Sequence, residues 1–416
     1  MTLTNIPSVV YYLITGSTNY FKGLPVETIY KGLYLNLIFL LFWTAGYIFA
    51  AKNSITLYKT CQFKKPTISV WIFLVVALFA YIYQYSHNYS YGYSVQLYKY
   101  HLEKVGTFGV IGGFANMLPA IAAALLIGKY QRHDSHKHII SESITINILA
   151  YIILIADIIV GLTIDMQRGD IVRSIILIGL IMILTNKFRR VMLIFFVSFI
   201  ALMFMSPFFD YLRRPAKGDK QLSNLKKTIE IANKLYGKVF SLEHLLREPA
   251  RKSGLVVSAG SISEYTDREG RVGFTPYFGI LFEPIPRIIW PEKPIPMSIN
   301  GKKQGQAMSI AAKEIGQNNV IWMSGGGTMY WQFGWIGVVL GGLITGFLWA
   351  FLLSLSFRRG NFYLLVIILA NIYWGRHLID GLGNFLLHFV QAFKVVGIFW
   401  LLDTFISKLK PVNLKY

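Results

Sequence analysis

The chain is poor in cysteine, in acidic residues and in charge overall. A single cysteine, Cys61, among 416 residues excludes internal disulfides and thiolate metal clusters. Only 20 acidic residues oppose 41 Lys and Arg, which gives a net charge of +21 and indicates anionic partners such as phosphate head groups. The cations are spread over many loops rather than one face, so we expect no nucleic acid partner. The N-terminus lacks a basic region and a small-residue cleavage site, so we expect no cleavable signal peptide.

Apolar residues make up more than half of the chain. The chain is 54% hydrophobic and 15% charged, with a mean hydropathy of +0.48. This composition predicts an all-α polytopic membrane protein with about 9–11 transmembrane helices. The runs long enough to span lie near 33–51, 68–85, 110–128, 145–164, 171–186, 190–207, 329–355, 361–376 and 382–405. A shorter run at 6–15 is read as interfacial or re-entrant, and it spans only if it extends through Tyr20.

Basic residues follow alternate spans, which predicts the orientation. We place these clusters in the cytoplasm: Lys52, Lys59, Lys64 and Lys65; Lys129, Arg132 and Lys137; Lys187, Arg189 and Arg190; Arg358 and Arg359; Lys408 and Lys410. The N-terminus and the segment 208–328 then lie outside. The chain divides into an N-terminal transmembrane bundle at 1–207, a large outer loop at 208–328 and C-terminal transmembrane helices at 329–416.

The outer segment is too long for a structureless connector. Ser223 to Glu248 has a helical period of apolar residues, which predicts an amphipathic helix lying on the membrane or roofing a cavity. The rest, 250–328, is rich in Gly, Pro and Ser and predicts ordered loops. Gly325 to Gly327 is interpreted as a flexible entry to the next span, in which Gly334, Gly337, Gly341, Gly342 and Gly346 permit close helix packing.

Within the outer segment, the stretch 283–294 holds four prolines. Each proline removes a backbone donor and fixes φ, so we expect a stiff, mostly extended loop. It presents Glu283, Arg287, Trp290 and Lys293 beside a bilayer. A cation, an aromatic platform and carboxylates in that setting suit an anionic, sugar-bearing lipid.

Other outer-face cations extend this set. Arg214, Arg251 and Arg376 join Arg287 and Lys293 as candidate phosphate ligands, because guanidinium groups bind phosphate bidentately in partly dry sites. The alternative is that some of them are interfacial anchors. Candidate acid–base groups are Glu283 and His244, with solvated or structural roles as the alternative.

Two charges fall inside predicted spans, Asp157 and Lys394. Such residues are costly in lipid and usually face the bundle interior or a water-filled cavity. A pairing of the two is one interpretation. It would serve either an ion path, as in a transporter, or structure alone.

The segment Pro286 to Pro294 reads P-R-x-x-W-P-x-K-P, and Ser324 to Gly337 is a Gly-rich stretch leading into an aromatic-x-F-G-x-x-G entry to a span. With one large outer loop and an Arg at 251, the chain resembles bacterial O-antigen or oligosaccharide repeat-unit polymerases of the Wzy type. Many members carry an acidic residue near the position of Thr328, which this chain lacks.

The resemblance implies a GT-C-like membrane glycosyltransferase in the bacterial inner membrane, active on the periplasmic face. Its partners would be undecaprenyl-diphosphate-linked donor and acceptor oligosaccharides, anionic lipid and a chain-length regulator protein. Arg251, Arg287 and Arg376 would contact diphosphate, with Arg214 and Lys293 assisting, Trp290 stacking on sugar, and Glu283 or His244 as base. The chain has neither an Asp-x-Asp motif nor a nucleotide fingerprint, so no metal and no cofactor are expected. The alternatives are an O-antigen ligase and a flippase for lipid-linked oligosaccharide; many spans and repeat symmetry typify the flippase.

Overall fold

The computed structural model describes residues 25–51, 63, 68–91, 112–128, 139–160, 168–184, 254–285, 289–294, 298–299, 302–303, 324–374 and 381–409. These residues are mostly helical. The helices are α1 Val26–Ala51, α2 Ile68–Tyr91, α3 Leu118–Ile127, α4 Ile139–Val160, α5 Arg168–Leu184, α6 Gly254–Glu269, α7 Phe278–Leu281, α8 Gly325–Arg359, α9 Phe362–Trp374 and α10 Leu382–Leu409. A 3₁₀ turn, Thr275–Tyr277, precedes α7, and β1 Ser298–Ile299 pairs antiparallel with β2 Lys302–Lys303.

Three stretches of the described chain are long and apolar enough to cross a membrane: Val26–Ala51, Gly325–Arg359 and Leu382–Ile406. A membrane protein is therefore supported. Helices coincide, at least in part, with the predicted apolar runs apart from 190–207. That run, the short run at 6–15 and the amphipathic helix predicted at 223–248 lie outside the described residues.

The larger hydrophobic core is built around α9. Its side chains from Phe362 to Tyr373 are buried on every face, against α3, α5, α8 and α10. A helix that is apolar all round fits such a central position, whereas a helix at the edge needs only one buried stripe. Asn371 donates from Nδ2 to the Phe385 carbonyl at 3.0 Å and so joins α9 to α10.

A second, smaller core joins α1, α6 and the start of α8, and glycine makes it possible. A Cβ at Gly346 would lie 1.9 Å from the Trp43 carbonyl oxygen, and one at Gly342 would lie 2.7 Å from that of Phe39. The backbones of α1 and α8 therefore touch, which is the close packing predicted for this glycine series. Leu35 and Phe39 are fully buried in the seam.

α8 is broken at Gly334, where φ is 67° and ψ is −153°. Before the break, Gly326 lies against Leu35 and the Tyr330 ring lies 4.8 Å from Lys31 Nζ, so the chain runs opposite to α1. After the break, Gly342 lies against Phe39 and Gly346 against Trp43, so it runs with α1. The first part, 325–333, is a short helical arm that folds back beside the long span.

The first residues of this arm differ from the flexible entry predicted for Gly325 to Gly327. Gly325, Gly326 and Gly327 are buried and helical rather than a flexible entry, and the Ser324 hydroxyl accepts from the Gly327 N–H at 3.0 Å as an N-cap. A Cβ at Gly337 would lie 2.5 Å from the Met329 carbonyl oxygen, so this glycine packs the span against its own arm.

The predicted loop region 250–328 also contains a helix, α6, which the sequence analysis missed. Its small residues let it lie directly on α1, since a Cβ at Gly260 would be 2.4 Å from the Thr28 carbonyl oxygen. The Thr28 hydroxyl donates to Glu264 Oε1 at 2.5 Å. Among the described side chains of α6, the buried residues are mostly small or polar: Ser258, Ala259, Gly260, Ser261, Ile262, Ser263 and Thr266. This part of the helix therefore shows no apolar period.

Candidate substrate-binding site

The segment after α6 is anchored on the broken end of the α8 arm. The N–H groups of Val272 and Gly273 donate to the carbonyls of Trp331 and Gln332 at 3.1 and 3.0 Å. Those carbonyls lie next to the helix break, where intrahelical partners end. The Arg271 guanidinium lies over Gly334, whose added Cβ would be 2.6 Å from Cζ.

The partly buried phenol of Tyr277 fixes the next turn. The Tyr277 hydroxyl donates to Gln332 Oε1 at 2.7 Å. Burial raises the pKa of this hydroxyl above its ordinary value, against the opposing effect of a backbone hydrogen bond with Gly383. The phenol therefore stays neutral and links the segment both to the α8 arm and to the start of α10.

The proline-containing stretch is turned rather than mostly extended, where it is described. The Glu283 N–H donates to the Ile280 carbonyl and the Ile285 N–H to the Phe282 carbonyl, each at 3.1 Å. The Lys293 N–H donates to the Trp290 carbonyl at 3.3 Å. Proline fixes φ near the value that such turns require, so it favours a turn as readily as an extended strand.

Lys293 holds the two ends of this stretch together. Its ammonium group donates to the carbonyls of Ile285 at 2.7 Å, Glu283 at 3.0 Å and Phe282 at 3.4 Å. It also lies 3.1 Å from Glu283 Oε2, and its side chain is 3% exposed. An ammonium group has three N–H donors, so all of them are engaged. The predicted contact between Lys293 and diphosphate stays a prediction, while the geometry gives Lys293 a structural role in this turn.

Glu283 joins this turn to a membrane-spanning helix. Its second oxygen, Oε1, accepts from Lys394 Nζ at 3.1 Å. Lys394 lies midway along the candidate span Leu382–Ile406, so the turn is tied to the middle of that helix. Each carboxylate oxygen of Glu283 thus accepts from one lysine. A role for Glu283 as general base stays a prediction, while the geometry shows that it positions Lys394.

The resulting cluster of Glu283, Lys293 and Lys394 holds two ammonium groups and one carboxylate. Lys394 donates to Glu283 and has a side chain that is 36% exposed, whereas the side chain of Lys293 is enclosed. Lys394 is therefore the more accessible of the two ammonium groups. The sequence marks Lys394 only as a charge inside a predicted span. Its partner Glu283 lies 111 positions away, so no local pattern connects the two residues.

The segment that carries the turn exposes several aromatic and aliphatic side chains. Trp290 is 38% exposed, and its ring meets that of Phe282 edge-on at 5.3 Å. Further exposed apolar side chains of the same segment are Phe274, Phe278, Leu281 and Ile289. Trp290 is thus accessible beside the charged cluster, as stacking on a sugar requires.

The remaining predicted site residues lie outside the described residues: Arg214, His244, Arg251, Arg287 and Arg376. Arg287 belongs to the stretch between Ile285 and Ile289, and Arg376 follows the end of α9 at Trp374. Their roles stay predictions.

The predicted pairing of Asp157 with Lys394 is wrong, because Lys394 binds Glu283 instead. Asp157 is buried among hydroxyl groups, accepting from Tyr81 at 2.8 Å, from Tyr373 at 3.0 Å and from Ser174. These contacts tie together α2, α4, α5 and α9. Within the described part of the chain, we find no group of three His, Cys, Asp or Glu side chains that could hold a metal ion.

In comparisons with protein-family models, curated proteins and solved structures, nothing matches this chain.

Proposed function

We propose that this protein is a membrane glycosyltransferase that polymerises undecaprenyl-diphosphate-linked oligosaccharide repeat units into O-antigen or a related surface polysaccharide. The proposal includes a GT-C-like fold with about 9–11 transmembrane helices, a location in the bacterial inner membrane and a site on the periplasmic face. The observation that carries it is the ion pair between Lys394 and Glu283, which fixes a partly exposed ammonium group on a candidate membrane-spanning helix.

Such a position suits a lipid-linked diphosphate. The leaving group of the reaction is an anion held at membrane level, and fixed positive charge stabilises it most where water is scarce. A carboxylate that fixes Lys394 while leaving it partly exposed provides a preorganised cation. Trp290, exposed beside it, offers an aromatic face for the adjacent sugar.

In the proposed reaction, an acceptor hydroxyl oxygen bonds to the anomeric carbon of the growing chain. The bond from that carbon to the diphosphate oxygen breaks, and the bonding pair leaves with undecaprenyl diphosphate. The hydroxyl proton passes to a base, for which Glu283 and His244 are the proposed groups. Lys394, with Arg251, Arg287 and Arg376, balances the charge of the leaving diphosphate.

The test is complementation of a strain deleted for the gene, read as glycan chain length on gels. We expect Lys394→Met to leave single repeat units and Lys394→Arg to restore part of the ladder, because Arg keeps the charge. Phe405→Ala, on the exposed face of the same helix, is the matched control and should give full ladders. Full ladders from both Lys394→Met and Arg287→Ala would refute the assignment.

The deletion strain itself separates the alternatives. Single repeat units on the lipid indicate the polymerase that we propose. Bare core lipid without attached glycan would indicate a ligase, and accumulation of lipid-linked units on the cytoplasmic side would indicate a flippase.

A further inference from the structure

A second site lies at the N-terminal end of α1, apart from Lys394. A cleft of about 370 Å³ is lined by Glu27, Tyr30, Lys31, Tyr34 and Trp335. Its three aromatic side chains are 43%, 55% and 40% exposed, in the order Tyr30, Tyr34 and Trp335. A cleft of this size accommodates a small ligand or one or two rings of a longer one.

The walls of the cleft are held by a polar network behind them. Lys31 donates to Asp267 on α6, and the Tyr330 hydroxyl donates to the same carboxylate at 2.6 Å. The Lys31 ammonium lies 4.8 Å from the centre of the Tyr330 ring, and that ring meets Trp335 edge-on at 5.5 Å. Lys31 and Trp335 are therefore fixed by α6 and by the α8 arm, rather than free on a helix surface.

The charges of the cleft decide between ligand classes. Glu27 and Asp267 are acidic and Lys31 is basic, so the cleft has no excess of positive charge for an anion. Carboxylates accept hydrogen bonds from hydroxyl groups, and exposed Tyr and Trp faces pack on the C–H face of a ring. We propose that this cleft binds a neutral sugar ring of a glycan, stacked on Trp335 or Tyr34 and hydrogen-bonded to Glu27.

The lipid-facing surface next to the cleft suggests how such a sugar arrives. Tyr30, Tyr34, Leu37 and Leu41 form one exposed stripe along α1, which is a candidate span. We expect this stripe, and with it one side of the cleft, to face hydrocarbon. A sugar carried on a lipid can thus enter while its chain stays in the bilayer. Tyr and Trp at a membrane interface often serve as anchors alone, but an anchor does not need the Lys31–Asp267–Tyr330 network. The assignment of this sugar to the acceptor oligosaccharide rests on the proposed function.

Saturation-transfer NMR on the full chain in lipid nanodiscs tests the cleft directly. The probes are methyl glucoside, methyl galactoside and N-acetylglucosamine, offered separately at millimolar concentration. We expect transfer to ring C–H protons for at least one sugar, and a loss of about tenfold in affinity in Trp335→Ala or Tyr34→Ala, the size expected for one stacked ring. Phe405→Ala, exposed on α10, is the control and should leave the transfer unchanged.

The outcomes separate this site from the proposed function. Absence of transfer with all three sugars, or equal transfer in the cleft variants and in the control, overturns the cleft as a sugar site. Binding lost in Trp335→Ala while chain length is normal would show that the sugar is not the acceptor. If the protein binds the sugar but deletion of its gene leaves the glycans unchanged, the proposed polymerase activity is refuted and the sugar site stands.

Discussion

The ammonium of Lys394, midway along the last described span, lies 3.1 Å from Glu283, which also accepts from Lys293 at the same distance. The Lys293–Glu283 pair is enclosed, so removal of the Lys293 ammonium leaves Glu283 Oε2 and the carbonyls of Phe282, Glu283 and Ile285 without this donor, while Lys394 remains on Glu283 Oε1. We expect Lys293→Met to lower the free energy of unfolding by about 3–5 kcal/mol. Equilibrium unfolding in SDS-containing micelles measures this.

A double variant tests whether Glu283 serves both lysines. Lys293→Met combined with Glu283→Gln also removes the counterion of Lys394, so we expect it to be less stable than Lys293→Met alone. The matched control is Arg268→Met, whose partner Glu269 and whose own side chain are both about half exposed. Its change should stay below about 1 kcal/mol. Equal losses for Lys293→Met and Arg268→Met would contradict an enclosed pair.

The apolar runs were the most predictable part of the fold, because length and hydropathy depend on local sequence alone. The α8 seam was also predictable, since Gly342 and Gly346 repeat at helical spacing. The break at Gly334 was not, because it depends on Val272 and Gly273 capping the freed carbonyls from another segment. The Lys394–Glu283 contact could not be predicted for the same reason, because the sequence around each residue does not indicate which distant residue it binds.

Gly334 excludes a side chain by its backbone conformation as well as by its surroundings. Its φ of 67° is disfavoured for any side chain, and an added Cβ would collide with Arg271. We expect Gly334→Ala to cost at least about 1–2 kcal/mol, the strain of the left-handed region alone. The unfolding titration used for Lys293 measures it.

Substitutions at two other glycines separate the cost of backbone strain from the cost of a steric clash. Gly270 has a φ of 93° with nothing within 4 Å of an added Cβ, so Gly270→Ala should show strain only. Gly397 lies in α10 with only ordinary contacts at 3.8 Å or more, and Gly397→Ala should be neutral or stabilising by up to about 1 kcal/mol. If Gly334→Ala were no worse than Gly270→Ala, the Arg271 contact would carry no energy.

The network behind the sugar cleft predicts a dependence on acid. Burial raises the pKa of Asp267, but hydrogen bonds from Lys31 and Tyr330 outweigh it and leave the pKa below its ordinary value. The folded state therefore holds this proton less tightly than the unfolded state. Its stabilising contribution is present above about pH 4 and is lost as pH falls through the folded value. Comparing unfolding between pH 3 and pH 6 in wild type and Asp267→Asn should show a steeper acid loss in wild type; parallel curves would exclude the linkage.

The depth of the turn beside Lys394 yields a spectroscopic prediction. Phe278 and Leu281 are 60% and 72% exposed on a segment tied to the middle of a span, so we expect them to face hydrocarbon rather than water. Nitroxide labels at Phe278→Cys and Leu281→Cys, in a Cys61→Ser background, should collide more with oxygen than with a water-soluble nickel chelate in vesicles. A label at Glu269→Cys, on the exposed end of α6, should show the opposite preference. Water-like collisions at Phe278 and Leu281 would place the turn outside the bilayer and remove the low-dielectric setting on which Lys394 depends for its effect on a diphosphate.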